Sequence, residues 1–177
     1  MDRADPLRHV RPLGRTLQPA PQRHREQIAW CVAVLAAALV GAWGSADAPA
    51  VYASLRRPPW APSAAIFGPV WMLLYLTLAA AAAWASQAPR TPQRRQALMT
   101  LGAALVPLAL WSWTFFAWRS SVLSVICISL LGGLVMSGIV QLLQVHRGAA
   151  LLLLPLLGWL AFAAALNVEI VRLNPLL

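Results

Sequence analysis

Tryptophan is the residue in this sequence whose number and spacing could support a chemical function. The chain contains nine tryptophans among 177 residues, and several of them recur with other aromatic residues at intervals of three or four. This interval places side chains on one face of a helix. An indole or phenol ring offers a flat apolar surface and one hydrogen-bonding group, which suits the binding of a flat hydrophobic molecule.

Three helix faces have this character. They are Phe67, Trp71 and Tyr75; Leu108, Trp111 and Phe115; and Trp159, Ala163, Asn167, Ile170 and Asn174. The faces could pack against neighbouring helices or lipid, or they could together line an apolar slot between helices, where ligand sites commonly lie. Ala163 would then leave room for a ligand. Arg56 and Arg57, which precede the first face, could bind carboxylates at the mouth of the slot or anchor the chain to lipid headgroups.

Groups for acid–base or metal chemistry are scarce. Of the five acidic residues, only Glu169 lies near a long apolar run, and no second carboxylate is close to it in sequence. His9, His24 and His146 fall in polar segments, so no pair of histidines is placed to hold a haem iron inside a membrane. Cys31 and Cys127 are isolated within apolar runs. The sequence therefore predicts no catalytic residue, no metal site and no resident cofactor.

The composition indicates an integral membrane protein. The chain is 60% hydrophobic and only 11% charged, with a mean hydropathy of +0.66. A soluble domain of this length would need more polar surface. Apolar runs of about 18 residues or more are typical of spanning helices, because a helix satisfies its own backbone hydrogen bonds in lipid.

We predict an all-α integral membrane bundle of five transmembrane helices. The predicted domains are a disordered basic tail, 1–27, and a five-helix domain, 28–177. The spans are predicted near 28–43, 67–86, 97–118, 122–145 and 149–171, with a polar, proline-rich loop at 44–65. The first run would also suit a signal peptide, but the long tail and the flanking Trp30 and Trp43 favour an uncleaved helix with aromatic residues at both interfaces.

Every basic residue apart from histidine is arginine, and the formal net charge is +9. Because the arginines lie in the tail and between the apolar runs, they indicate headgroup contacts and membrane topology rather than a nucleic-acid partner. The tail and the second and fourth loops hold most of them, which predicts a cytoplasmic N-terminus. Gly133 and Ser137, a pair of small residues one turn apart, could serve either a dimer interface or internal packing.

Three motifs resemble the TspO/MBR family of tryptophan-rich sensory and translocator proteins. LRRPPWAPSAAIFGPVWMLLY at 55–75 is similar to the family's pattern L-x-K-P-x-W-x-P-P followed by F-G-P-V-W-x-x-L-Y. LWSWTFFAW at 110–118 is similar to L-W-S-P-x-F-F. PLLGWLAFAAALNVEIVRLN at 155–174 is similar to P-Y-L-x-W-x-x-F-A-x-x-L-N followed by R-x-N. The three motifs stand in the family's order along the chain.

This resemblance implies a multi-pass protein of a bacterial cell membrane, usually a homodimer. It implies a pocket that opens toward the first loop and binds tetrapyrroles such as protoporphyrin IX, or other flat hydrophobic molecules, for sensing, regulation or transport. The alternative activity proposed for the family is light-dependent degradation of porphyrin, which would make the protein an enzyme. A purely structural role in the membrane would need no pocket. The positions that we predict to contact a ligand are Trp60, Phe67, Trp71, Tyr75, Leu108, Trp111, Phe115, Trp159, Ala163 and Asn167.

The sequence departs from the family pattern at several of these motifs. Leu108 stands where the family usually has asparagine, and Leu156 stands where it usually has tyrosine. Trp113 replaces the proline that follows W-S, and Ser63 replaces the second proline of the first-loop motif. These differences predict a more apolar pocket and an altered ligand preference. The remaining prolines of the first loop, among them Pro59 and Pro62, are expected to stiffen a lid over the pocket.

Overall fold

The computed structural model describes residues 20–175, with side chains from His24 onward, and the described part contains helices and no strand. The helices are α1 (Ala20–Gly44), α2 (Ala48–Ser54), α3 (Ala64–Gln87), α4 (Pro92–Ser112), α5 (Ser121–Leu143), α6 (Arg147–Leu152) and α7 (Leu154–Leu173), and a π-helical turn, Trp113–Ala117, prolongs α4. Five segments are long and apolar enough to cross a membrane: His24–Gly44, Ala64–Gln87, Pro92–Ala117, Ser121–Leu143 and Arg147–Leu173. The predicted all-α, five-span architecture is confirmed.

The five spans form a closed ring, and α3 also packs against α4 across it. α1 contacts α3 and α4, α4 makes its largest interface with α5, and α5 packs against α6 and α7. α3 closes the ring through contacts with α6 and α7. The interior of the ring is filled by leucine, isoleucine and alanine, among them Leu78, Leu101 and Ile128, each at most 1% exposed. The aromatic faces of α3, α4 and α7 therefore meet at one end of the ring.

Two helices begin earlier than the apolar runs suggest. α1 begins at Ala20, so residues 20–27 lie in a helix and not in the predicted disordered tail, whereas residues 1–19 and 176–177 lie outside the described part of the chain. α4 begins at Pro92, where the Oγ1 of Thr91 accepts a hydrogen bond from the backbone N–H of Arg94 at 3.1 Å. Threonine before the first turn and proline within it are typical of a helix start.

An ion network around the buried Arg94 connects these polar helix ends. The Arg94 side chain is only 6% exposed, and its guanidinium pairs with the Glu26 carboxylate of α1 and donates to the backbone oxygen of Ser86 at 2.7 Å. Arg90 donates to the same carboxylate at 2.6 Å. The network joins α1, the end of α3 and the start of α4, and it holds all three at the end of the bundle where α1 begins.

The first loop and the last span differ from the prediction in their secondary structure. The first loop contains the short helix α2, which buries Val51 and Tyr52. The last span is divided into α6 and α7 at Leu153. Pro155 has no backbone N–H to continue the helical hydrogen bonds across this point, and proline is well accommodated in the first turn of the new helix. The π-helical turn after α4 leads into Arg119, whose φ of 48° makes a tight turn into α5.

Trp113 fastens the end of α1 to α4. Its Nε1 donates to the backbone oxygen of Val40 at 2.9 Å, and its ring lies edge-on to Trp43. A Cβ atom on Gly44 would lie 2.6 Å from the Trp113 ring, so only glycine permits this close approach. The tryptophan that stands in place of the family's proline therefore has a defined packing role.

Candidate functional site

Trp71 of α3 lies at the centre of a group of contacting aromatic rings. Its ring centroid is 5.9 Å from that of Trp111 on α4 and 6.5 Å from that of Trp159 on α7. These separations are typical of favourable aromatic pairs. Three spans that are distant in sequence thus converge through their tryptophans. We call Phe67, Trp71, Trp111, Phe115, Phe116, Trp159 and Phe162 the aromatic cluster.

The cluster extends from Trp71 in two directions. Toward the first loop, the ring centroid of Phe67 lies 5.8 Å from that of Trp159 and 5.3 Å from that of Tyr52 on α2. Along α4 and its π-helical turn, Trp111 stacks on Phe115, with ring centroids 5.7 Å apart and an interplanar angle of 21°. The cluster therefore presents ring faces from three sides to the space beneath α2.

The rings fill most of that space themselves. The cavity among them has a volume of about 20 Å³, which is room for roughly one water molecule. Sites for drug-sized ligands usually measure about 300–1,000 Å³. A planar molecule as large as a porphyrin would therefore need the aromatic side chains to separate. The lining residues are Tyr52, Phe67, Trp111, Phe115, Phe116, Ala163, Leu166, Asn167 and Ile170.

Three buried polar atoms around this cavity have no hydrogen-bond partner among the residues that the structure describes. They are the Nε1 donors of Trp111 and Trp159 and the Oδ1 acceptor of Asn167. The Asn167 side chain is 1% exposed, and its amide nitrogen donates to Ser124 Oγ at 3.2 Å, which orients the unpaired oxygen. Because an unpaired buried polar group is costly, each such group calls for a physical reason. Trp111 and Asn167 line the cavity, so a ligand with polar groups between flat faces could pair with both of their unpaired atoms.

The lid, residues 55–63, covers this end of the bundle and is fixed at two points. Asn174, just beyond α7, accepts a hydrogen bond from the Arg56 backbone N–H at 3.0 Å and donates to the Arg56 backbone oxygen at 2.9 Å. The Tyr52 hydroxyl donates to the Pro62 oxygen at 2.9 Å. Burial raises the pKa of Tyr52, against the opposing effect of the Arg57 guanidinium over its ring. The hydroxyl therefore remains a donor at neutral pH.

Replacing Asn174 by alanine should release the lid. The change removes both hydrogen bonds to Arg56, at about 1 kcal/mol each, so the lid should open roughly five- to thirty-fold more often. Limited digestion with trypsin would measure this, because trypsin can cut between Arg56 and Arg57 only when the lid has left the bundle. Asn174→Asp is the matched control: it keeps the acceptor and should give an intermediate rate. Equal cleavage rates in the three proteins would contradict the fastening role.

Not all predicted positions lie at the cavity. Five of them line it, namely Phe67, Trp111, Phe115, Ala163 and Asn167. Trp71 and Trp159 belong to the surrounding cluster. The other three lie outside both groups.

Trp60, Tyr75 and Leu108 stand apart from the cavity lining. Trp60 is 50% exposed at the rim, where its ring lies 5.9 Å from that of Phe162. Tyr75 extends toward α1, since its hydroxyl lies 3.2 Å from where a Cβ on Gly41 would stand. Leu108 is 3% exposed within the hydrophobic core, and it does not line the cavity. Its direct contact with a ligand would require a larger opening than the one observed.

Four lining residues were absent from the predicted set: Tyr52, Phe116, Leu166 and Ile170. Ile170 was predicted to share the helix face of Ala163 but was not included among the ligand contacts, and Leu166, three residues beyond Ala163, could have been found on that face. Tyr52 could not, because its position depends on the unpredicted helix α2. Phe116 is brought to the cavity by the π-helical turn, which shifts the helical register after Ser112.

Comparisons with known proteins agree with the motifs. The model of the TspO/MBR family matches residues 28–173. The chain is 34% identical over 151 residues to the tryptophan-rich protein TspO of Archaeoglobus fulgidus, covering 83% of this chain and 95% of the relative. It is 36% identical over 121 residues to the translocator protein of Ovis aries, covering 66% and 70%. It is 28% identical over 123 residues to the tryptophan-rich sensory protein of Cereibacter sphaeroides, covering 70% and 76%.

Proposed function

Because this chain belongs to the TspO/MBR family of multi-pass membrane proteins, we propose that it binds a tetrapyrrole such as protoporphyrin IX, or a similarly flat hydrophobic molecule, as a membrane-embedded sensor. The observation that carries the proposal is the set of three unpaired polar atoms, on Trp111, Trp159 and Asn167, within a cluster of ring faces. Flat faces suit a planar macrocycle, and indole N–H donors suit its carboxylates or ring nitrogens.

The relatives' names support a sensory or translocating role. One is called a tryptophan-rich sensory protein and another a translocator protein. In a sensor, ligand binding must change the shape of the protein, because a ligand shifts an equilibrium only by its different affinities for two states. The nearly filled cavity and the lid held by Asn174 and Tyr52 supply one state, and a ligand that separates the rings would favour another. We also propose a homodimer, as the family resemblance implies.

A second candidate function is light-dependent breakdown of the bound porphyrin. The observation that favours it is a group of neighbouring indole rings. The ring centroids of Trp111 and Trp159 both lie within 6.5 Å of the centroid of Trp71. Easily oxidised side chains in contact with one another and with a photoexcited ligand could supply electrons. The two functions differ in their product, since a sensor returns the porphyrin unchanged.

A titration with protoporphyrin IX tests the proposed function. The purified protein in detergent is titrated in the dark, and tryptophan fluorescence should be quenched to saturation. Trp111→Phe and Trp159→Phe keep an aromatic ring but remove the N–H donor. Each should weaken binding about 10- to 150-fold, because a hydrogen bond to a charged group contributes about 1.5–3 kcal/mol.

The control variant is Trp84→Phe, which changes a 44% exposed tryptophan beside His146, away from the cluster. It should bind as the unmodified protein does. Quenching without saturation, or equal affinities in all four proteins, would contradict the proposed site. Illumination of the saturated complex, followed by chromatography of the porphyrin, then separates sensing from degradation.

A further inference from the structure

Asn167 lines the cavity beneath α2, and its two polar atoms have different surroundings. The amide nitrogen donates to the Oγ of Ser124 on α5 at 3.2 Å, whereas Oδ1 is buried without a hydrogen-bond partner among the described residues. The nitrogen and oxygen of an amide exchange places when the group turns over, so the neighbouring hydrogen bonds decide which of them faces the cavity. The kind of ligand group that this wall accepts depends on that orientation.

Ser124 determines the orientation of the amide because its hydroxyl has a single hydrogen to donate. The hydroxyl donates to the backbone oxygen of Ser121 at 2.9 Å. The Ser124 oxygen then serves as an acceptor, and it requires the amide nitrogen of Asn167 as its donor. If the amide turned over, the hydroxyl would have to leave Ser121 in order to donate to Oδ1, and one of the two hydrogen bonds would be lost. A typical hydrogen bond favours the observed orientation about five-fold.

The other side chains around the cavity do not supply a donor to Asn167 Oδ1. Among the described residues that line the cavity, the other side-chain donors are Tyr52 and Trp111. The Tyr52 hydroxyl donates to the Pro62 oxygen at 2.9 Å, and the Trp111 Nε1 is itself unpaired. None of the described lining residues carries a charge. When the rings separate, the cavity therefore presents one N–H donor and one amide acceptor in apolar surroundings.

We propose that Ser124 determines ligand specificity by holding Asn167 so that the site selects a tetrapyrrole with an uncharged N–H or O–H donor beside a carbonyl. A carboxamide or an un-ionised carboxyl group has this pair: its carbonyl accepts from Trp111, and its N–H or O–H donates to Oδ1 of Asn167. An ester has the carbonyl alone. Ser124 is 0% exposed and does not line the cavity, so it acts as a positioning residue. The inference rests on the proposed function, because it requires the ligand to enter this cavity.

Two uncharged derivatives of protoporphyrin IX, the diamide and the dimethyl ester, test the inference. Both carry carbonyl groups, but only the diamide carries N–H donors at the same places. Tryptophan-fluorescence titrations in one detergent give the ratio of the ester's dissociation constant to that of the diamide. Comparing this ratio between proteins cancels the different partition of the two compounds into micelles. Asn167→Leu has no acceptor and gives the reference ratio, which the unmodified protein should exceed about five-fold.

Ser124→Ala should lower the ratio to near the reference value, because the released amide can turn its nitrogen toward the ester carbonyl. A purely structural loss would instead weaken both compounds alike and leave the ratio unchanged. Ser124→Thr and Ser124→Val form a second, isosteric pair that differs in the hydroxyl, so the ratio should persist in the first and fall in the second. Ser129→Ala makes the matched substitution at an exposed position of α5 and should keep the ratio.

The outcomes separate this inference from the proposed function. Equal ratios in the unmodified protein and Asn167→Leu would overturn the inference alone, since both compounds would still bind to saturation. A preference that Asn167→Leu abolishes and Ser124→Ala retains would show that Ser124 does not position the amide. If protoporphyrin IX saturates the protein but the diamide does not, the inference is likewise overturned. If neither protoporphyrin IX nor its derivatives saturate the protein, the proposed function fails and the inference fails with it.

Discussion

Replacing Arg94 by methionine is expected to lower the free energy of unfolding by about 2 kcal/mol, because a buried charged donor is lost while its partner Glu26 is partly exposed and keeps Arg90. The methionine would fill the space of the arginine stem but would leave the buried oxygen of Ser86 without its donor and would remove one of two guanidinium partners of Glu26. Unfolding in mixed micelles with increasing dodecyl sulfate, followed by tryptophan fluorescence, would measure the change.

Arg95→Met is the matched control for this effect. The substitution is the same and the position is adjacent, but Arg95 is exposed, so the expected loss is about 0.5 kcal/mol or less. Glu26→Gln provides the second test. If the network acts as a unit, the double variant with Arg94→Met should lose less than the sum of the two single losses. Additive losses, or a similar loss at Arg95, would show that the network does not stabilise this end of the bundle.

The five spans could be predicted because lipid leaves few choices to the backbone. An apolar run must become a helix when no water is present to satisfy its amides and carbonyls. Run length alone therefore located all five, and the residues between them gave the loops. Hydropathy does not predict helix beyond the first charged residue. The helical state of Glu26 and Arg94 was therefore not predicted, because it depends on partners in other helices.

The candidate site was predictable in part for a related reason. Spacing places Phe67 and Trp71 on one face of α3 and Trp111 and Phe115 on one face of α4, but it does not determine which faces meet. The motif resemblance supplied that step. Neither could supply Tyr52, which depends on a helix of seven residues, or the closed state of the cavity, which depends on how the rings pack against one another. Residue spacing determines which side chains share a helix face, whereas the small volume of the cavity depends on how the assembled helices pack.

Replacing Ala163 by phenylalanine should weaken protoporphyrin IX binding about 10- to 100-fold. Ala163 is 4% exposed, lines the cavity, and stands one turn from both Trp159 and Asn167. A phenyl group there would occupy the space into which the ring faces must admit a ligand. Overpacking of a filled site costs about 1–3 kcal/mol, which corresponds to the stated loss in affinity if the ligand uses the same space. Fluorescence titration in detergent would measure it.

Ala165→Phe is the control, because it adds the same ring to the same helix at an exposed position. It should bind the porphyrin as the unmodified protein does, and both variants should keep their helical circular dichroism. The pair also distinguishes two ways in which the cavity could open. If the rings separate around Ala163, only Ala163→Phe will weaken binding. If the porphyrin instead lies at the rim, against Trp60 and Phe162, neither variant will weaken it, and the cavity beneath α2 will not be the binding site.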